Sequence, residues 1–306
     1  MAPLVWLCYT IHMADAERIA FIGTGVMGAS MAGHLMSAGH SLVVHTRTKS
    51  KAQPLLERGA AWADSATTAA EGADIAISMV GYPQDVEQTH LGERGTLRAQ
   101  NPPRLVIDMT TSRPGLAVRI AEEAASRGIG ALDAPVSGGD IGARNATLSI
   151  MVGGDPAHFE NALSVLRLLG KNIVLQGGPG AGQHTKMVNQ ILVAASMVGT
   201  CECLIYAQRS GLDPMKVIES VGSGAAGGWT INNLGPRIVR RDFEPGFYVE
   251  HFVKDLGIAL EEATRMKLDL PGLALAKQLY DQVSKHGLSR KGTQALVLLM
   301  EQSRTP

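Results

Sequence analysis

The hydrophobic residues of this chain change their spacing near its midpoint. Short apolar runs, separated by helical stretches, occupy the first half at residues 19–22, 42–44, 73–80, 104–109, 131–135 and 148–152. Such runs between turn signals are typical of buried strands. Because strands alternate with helices, the pattern predicts an α/β fold with a mostly parallel, doubly wound sheet that has helices on both faces.

After the glycine-rich segment 177–182 the strand pattern stops. Apolar residues now recur at spacings of three and four, the period of a helix, over residues 183–210, 214–221, 250–267, 271–286 and 293–302. We therefore predict a doubly wound domain at 13–177 and an all-helical domain at 178–306, joined by the long interdomain helix that opens the second domain.

Residues 1–12 show neither pattern. The segment is apolar but too short to span a bilayer, and no basic residue precedes Arg18, which argues against a signal peptide. We interpret it as a disordered extension, or as the product of an upstream start with Met13 as the natural first residue.

Composition narrows the class of function. The 306 residues are 45% hydrophobic and carry no net charge, and only 4% are aromatic. This balance argues against nucleic acid and against an anionic membrane as partners. Cys8, Cys201 and Cys203 do not have the spacing of a disulfide framework or a metal site. We expect a cytoplasmic protein that needs no metal.

The loop after the first predicted strand carries a phosphate-binding fingerprint. It reads Gly23-Thr24-Gly25-Val26-Met27-Gly28 and stands between a strand and a helix, the context in which G-x-G-x-x-G binds a dinucleotide. Gly23 allows a tight turn, Gly25 lets a pyrophosphate approach the backbone, and Gly28 lets helix and strand pack closely. The first domain is therefore predicted to be a Rossmann domain.

The second predicted strand ends in Thr46-Arg47-Thr48, without the acidic residue that would bind the ribose hydroxyls of NAD. Arg47, followed by Lys49 and Lys51, suits a 2′-phosphate, so we expect NADP(H) to be preferred over NAD(H). Ligands of doubly wound sheets lie beyond the carboxyl ends of the strands. This rule places the loops at Met79-Val80 and Thr110-Thr111 beside the cofactor.

Two further stretches carry candidate chemistry. Lys186, Asn189 and Gln190 share one face near the start of the long helix. The helix dipole and burial would lower the pKa of this lysine and suit it to proton transfer; the alternative is a lysine that extends to solvent. The small residues of Ser137-Gly138-Gly139 can hold a carboxylate, although such a sequence is also an ordinary turn.

Together these motifs resemble the β-hydroxyacid dehydrogenases, which include 3-hydroxyisobutyrate dehydrogenase, tartronate semialdehyde reductase and, more distantly, 6-phosphogluconate dehydrogenase. The resemblance covers residues 18–302 and includes Lys254-Asp255-Leu256. It implies that Lys186 is the general acid/base, with Asn189 or Gln190 beside it. It also implies that Ser137-Gly138-Gly139 hold the substrate carboxylate and that Thr111 and Lys254 line the cofactor site.

The activity that this resemblance implies is reversible hydride transfer between NADP(H) and a small β-hydroxyacid or carboxylic semialdehyde, in a homodimer or homotetramer. The substrate stays open, because Asn189-Gln190 is similar to tartronate semialdehyde reductases whereas Thr46-Arg47-Thr48 is similar to NADPH-using semialdehyde and glyoxylate reductases. Two alternatives also stay open: a non-catalytic binding module, and an imine reductase, in which another residue usually replaces the lysine.

Overall fold

A mostly parallel sheet organises the first half of the chain in the computed structural model, which describes residues 16–302. The predicted extension at 1–12 lies outside the described residues. The strands are β1 (Arg18–Ile22), β2 (Ser41–His45), β3 (Ala61–Trp62), β4 (Ile75–Ser78), β5 (Leu105–Asp108), β6 (Gly130–Asp133), β7 (Val136–Ser137), β8 (Leu148–Gly154) and β9 (Gly170–Gly177).

The strand order is β3-β2-β1-β4-β5-β6-β8-β7, with β9 beside β8. Strands β1 to β6 pair in parallel, and β8 runs antiparallel to β6 and β7 but parallel to β9. Because the connections run outward in both directions from β1 and β4, the carboxyl ends of these two strands border the crevice in which doubly wound sheets bind ligands.

Helices cover both faces of the sheet. They are α1 (Val26–Ser37), α2 (Gln53–Leu56), α3 (Ala66–Ala70), α4 (Pro83–His90), α5 (Pro114–Ser126), α6 (Gly139–Arg144) and α7 (Pro156–Leu166). Side chains of β1 alternate between two hydrophobic clusters, with Phe21 in one and Ala20 in the other, as the two-residue period of a strand requires. The predicted doubly wound fold is confirmed.

The second half is helical, as predicted. Its helices are α8 (Ala181–Arg209), α9 (Pro214–Gly222), α10 (Gly235–Val239), α11 (Val249–Arg265), α12 (Pro271–Val283) and α13 (Leu296–Gln302). Helix α8 is long and apolar enough to cross a bilayer. Here it is a core helix, because Met187, Ala194 and Met197 pack in one cluster with Phe252 and Tyr280.

The hydrophobic pattern does not predict several of the observed elements. Strands β3 and β7 have only two residues each, which is too short for a period to show. Strand β9 pairs with β8 alone and exposes most of its residues, and its short apolar run, Ile173-Val174-Leu175, stands between polar residues. Helix α10 has five residues and follows a π-helical turn at Thr230–Leu234. Each of them is fixed by neighbouring elements rather than by its own sequence period.

The amino end of α8 rests directly on the sheet. Asp133, the last residue of β6, accepts hydrogen bonds from the backbone N–H groups of Gly180 (2.7 Å) and Gln183 (2.8 Å). A Cβ on Gly182 would lie 2.6 Å from the carbonyl oxygen of Asp133 and would also collide with that of Met151. Close backbone contact therefore requires glycine at 182.

We predict that Gly182→Ala destabilises the protein by roughly 1–3 kcal/mol, because the new methyl group meets backbone atoms that cannot rotate away. Gly272→Ala in α12 is the control: no described atom lies within 4 Å of a Cβ built there. This control should be neutral or stabilising by up to about 1 kcal/mol, since alanine favours a helix. Thermal and denaturant unfolding measure both variants, and equal stability of the two would contradict the close contact.

Candidate active site

The cleft between the sheet and the helical half is closed by polar contacts to two strand-end loops. Lys254 of α11 donates to the carbonyl oxygens of Thr111 (2.7 Å) and Gly81 (3.3 Å). The side chain of Gln183 accepts from the Ser112 N–H (2.8 Å) and donates to the Thr110 carbonyl (2.7 Å). The loop after β5 is thus bonded to both α8 and α11, and the loop after β4 is bonded to α11.

The fingerprint loop has the shape of a phosphate cradle. Gly23 has a φ of +96°, and a Cβ there would collide with the Met79 carbonyl; a Cβ on Gly28 would collide with the Gly23 carbonyl. Gly25, by contrast, has no described atom within 4 Å of its Cβ position. Two glycines are therefore required by the chain itself, and the third leaves open space at the start of α1.

The hydroxyl of Thr24 strengthens this interpretation. It is buried and has no hydrogen-bond partner among the described residues. A buried hydroxyl without a partner is costly, and the first N–H groups of α1 lack intrahelical partners. A dinucleotide phosphate would satisfy both, so the residues present fit the cofactor that the fingerprint predicts.

The end of β2 differs from the sequence-based picture in one respect. Arg47 does not stand free: its Nη1 lies 3.1 Å from Oδ1 of Asp85, in the first turn of α4. Lys49 lies over the ring of Trp62, with Nζ 5.1 Å from the ring centroid. Thr46 and Thr48 flank Arg47 at the strand end. The sequence has no acidic residue directly after β2, but the fold supplies Asp85 from the helix that follows β4, on the far side of β1.

A buried polar network lies beneath the loops after β4 and β5. Ser78 donates to Asp108 (2.7 Å) and lies 2.9 Å from Nε2 of His90. Asp108 accepts from the Thr110 N–H (3.1 Å), and the Thr110 hydroxyl accepts from the Val80 N–H (2.9 Å). Burial lowers the pKa of His90 to about 4 and raises that of Asp108 to about 6. The network fixes the loop of Met79 and Val80 against Gly23.

Lys186 is buried in the cleft, with 6% of its surface exposed, so it does not extend to solvent. Burial lowers its pKa to about 8; the negative charge of Asp255 opposes this shift, and the positive charge of Lys254 adds to it. Within residues 16–302 its ammonium group makes no hydrogen bond. Lys186 is thus a group that can lose its proton near neutral pH.

Asp255 connects the other polar groups of the cleft. It is fully buried and accepts from Nε2 of Gln190 (2.6 Å), whose Oε1 accepts from Asn189 (2.7 Å). Its second oxygen lies 3.0 Å from Nζ of Lys254, an ion pair without hydrogen-bond geometry. The sequence motif contained Asp255 but gave it no role. A carboxylate on the buried face of an amphipathic helix was the available signal.

The loop Ser137-Gly138-Gly139 lies at the end of β7, which contacts α8. Gly138 and Gly139 have φ values of +128° and +61°, and a Cβ on Gly139 would lie 3.3 Å from the carbonyl oxygen of Gly246. The loop therefore approaches the helical half so closely that a side chain would not fit easily. Within the described chain, no hydrogen bond joins it to Lys186.

Comparisons with known proteins agree with this geometry. Residues 18–178 match the NAD-binding domain of 6-phosphogluconate dehydrogenase, and residues 180–300 match the NAD-binding family of NADP-dependent 3-hydroxyisobutyrate dehydrogenase. The chain is 40% identical to 2-hydroxy-3-oxopropionate reductase of Escherichia coli, over 93% of this chain and 97% of that protein. An uncharacterised oxidoreductase of Bacillus subtilis is 52% identical over 92% of this chain and 98% of its own length.

Among solved structures, 3-hydroxyisobutyrate dehydrogenase of Mycobacterium tuberculosis with L-serine superposes with a TM-score of 0.85 at 29% identity, over 93% of this chain and 99% of that one. The fold, the cradle and these relatives define an NAD(P)-dependent oxidoreductase. The chain belongs to the β-hydroxyacid dehydrogenase family, of the 3-hydroxyisobutyrate and tartronate semialdehyde type.

We predict that replacing Asp255 with Asn lowers the pKa of Lys186 below about 8, because the carboxylate charge that favours the ammonium form is lost. The ε-carbon ¹³C resonance, assigned with Lys186→Met, follows the titration. Glu202→Gln is the control; its residue is exposed on α8, about 24 Å further along the helix, where salt screens its charge. An unchanged titration in Asp255→Asn would contradict the electrostatic coupling.

Proposed function

We propose that the protein transfers hydride reversibly between NADP(H) and a small β-hydroxyacid or carboxylic semialdehyde, with Lys186 as general acid/base. The observation that carries this proposal is the buried Lys186, with a pKa near 8, in the cleft beside the strand-end loops. The names of relatives favour substrates of the 3-hydroxyisobutyrate or tartronate semialdehyde type; succinic semialdehyde and glyoxylate are further candidates.

When bound, the nicotinamide supplies or accepts the hydride. In reduction, the ammonium form of Lys186 donates a proton to the substrate oxygen as that oxygen gains charge, and in oxidation the amine takes the proton back. A pKa of about 8 makes both forms accessible, and such proton transfer contributes roughly 100- to 10,000-fold. Because Gln190 is bonded to both Asp255 and Asn189, we assign Gln190 and Asn189 to positioning around the lysine.

The remaining roles are part of the same proposal. Ser137-Gly138-Gly139 bind the substrate carboxylate through the hydroxyl and the unhindered N–H groups. Thr111 and Lys254 line the cofactor site, where their hydrogen bond already fixes the loop after β5. Arg47, with Lys49 and Lys51, favours the 2′-phosphate of NADP(H) over NAD(H).

We also propose a cytoplasmic homodimer or homotetramer. Three large apolar side chains stay exposed on one stripe of α8, namely Val188, Leu192 and Tyr206. A contiguous exposed apolar surface on a helix is typical of a protein interface. These residues support an oligomer in which α8 packs against a second copy of the chain.

The rival functions are an imine reductase and a non-catalytic binding module. The buried lysine with a lowered pKa favours dehydrogenase chemistry over both. A panel assay that follows nicotinamide absorbance, with several carboxylic semialdehydes and cyclic imines, tests the proposal. Turnover of a semialdehyde supports it; turnover of imines alone, or binding of cofactor without any turnover, would reject it.

We predict that Lys186→Met reduces turnover by roughly 100-fold or more and leaves NADP⁺ binding nearly unchanged. In the unaltered protein, kcat/KM for reduction should fall as pH rises through about 8, and that for oxidation should fall as pH drops through about 8. Steady-state kinetics across pH and calorimetric titration measure these effects. Lys216→Met, an exposed lysine of the same half, is the control. Near-normal turnover in Lys186→Met would show that Lys186 is not the general acid/base.

We predict that Ser137→Ala raises KM for a carboxylate substrate by roughly 10- to 150-fold, because a hydrogen bond to a charged group contributes about 1.5–3 kcal/mol. Affinity for the cofactor should change little. The measurement compares a carboxylic semialdehyde with an uncharged aldehyde of similar size. An equal rise in KM for both substrates would show that Ser137 does not bind the substrate carboxylate.

A further inference from the structure

The ion pair between Arg47 and Asp85 crosses the mouth of the dinucleotide crevice. In the sheet, Ile22 at the end of β1 is paired with His45 of β2 on one side and with Ser78 of β4 on the other. Arg47 follows β2, and Asp85 lies in the first turn of α4, which follows β4. The contact of 3.1 Å therefore joins the two strands that flank β1, across the strand whose end begins the fingerprint loop.

The two partners of this pair are not held equally. Asp85 uses its second oxygen, Oδ2, to accept the backbone N–H of Tyr82 (3.2 Å), and 19% of its side chain is exposed. The ring of Tyr82 packs in turn on His251, with a centroid distance of 5.3 Å. The side chain of Arg47 is 80% exposed. Exposed ion pairs contribute little, so Arg47 is free to change partner whereas Asp85 stays in place.

We propose that Asp85 is a specificity residue that narrows the preference for NADP(H) over NAD(H) created by Arg47. This inference rests on the proposed cofactor site. A 2′-phosphate must take Arg47 away from Asp85 and then lie close to a fixed carboxylate, which repels it. A 2′-hydroxyl is uncharged, leaves the ion pair intact and can donate a hydrogen bond to a carboxylate oxygen.

Asp85 thus acts where Rossmann enzymes that use NAD place an acid at the end of β2. Here the acid comes from a different strand and a different part of the sequence. One basic and one acidic side chain meet at the position of the 2′ group, and their balance sets the discrimination. Removing the charge of Asp85 should increase the preference for NADP(H) over NAD(H), and removing Arg47 should abolish that preference.

The variant Asp85→Asn tests this proposal. The amide keeps the size of the side chain and an oxygen for the Tyr82 N–H, but it carries no charge. Isothermal titration with NADP⁺ and NAD⁺ measures binding directly, without any substrate. We expect the dissociation constant for NADP⁺ to fall roughly 10-fold, about 1.4 kcal/mol, while that for NAD⁺ stays the same or rises by up to about 3-fold. Higher salt should reduce the gain.

Glu87→Gln is the matched control, because it removes the same charge from the same helix. Glu87 pairs with Arg119 at 3.0 Å and is not bonded to Arg47. This control should leave the ratio of the two dissociation constants unchanged. In the double variant Arg47→Ala with Asp85→Asn, the gain for NADP⁺ should be smaller than in Asp85→Asn alone, because no Arg47 is left to be released from the ion pair to the phosphate.

Three results would overturn the proposal. In Asp85→Asn, NADP⁺ could bind more weakly, which would mean that Asp85 orients Arg47 for the phosphate. The dissociation constants of NADP⁺ and NAD⁺ could change by the same factor in Asp85→Asn. The control Glu87→Gln could also change their ratio as much as Asp85→Asn does. Failure of the proposed function is distinguishable, because it would leave the shift in binding intact while no semialdehyde is reduced.

Discussion

Two hydrogen bonds to one carboxylate hold the two halves of the molecule in register. The first N–H groups of any helix lack partners within the helix, and Asp133 at the end of β6 accepts two of them, from Gly180 and Gln183. Burial raises the pKa of Asp133, and these two bonds oppose that shift. Because the start of α8 is fixed to the carboxyl edge of the sheet, the residues of its second turn, Lys186 among them, must lie over that edge.

The other contacts across the cleft extend this arrangement to the loops. Gln183 holds the backbone on either side of Thr111, and Lys254 reaches the loops after β4 and β5 from α11. The loops that border the cofactor crevice are therefore part of the interface between the halves. Any movement of one half relative to the other must change the shape of the crevice.

The local features of this fold follow from the sequence, and the long-range pairings do not. Apolar runs predict β1, β2, β4, β5, β6 and β8, and the glycine spacing predicts the cradle, because these signals are contained in a few neighbouring residues. The partner of Arg47 lies 38 positions away and that of Gln183 lies 73 away. Sequence spacing identifies Lys186 as unusual, yet the proximity of Asp255 and Lys254 to it appears only once α8 and α11 are packed. The domain limits and the roles of the site residues stay predictions.

Two lysines and one aspartate form a buried cluster of ionisable groups in the cleft: Lys186, Lys254 and Asp255. Lys254 and Asp255 form an ion pair, so the cluster is neutral when Lys186 is an amine and carries one positive charge when it is an ammonium. A net charge in a buried site is unfavourable, which is in keeping with the lowering of the Lys186 pKa to about 8. An anionic ligand would oppose this lowering, because its charge is matched when Lys186 takes up a proton. Anion binding and proton uptake by Lys186 are thereby linked, so a bound anion would keep this lysine an ammonium over a wider range of pH.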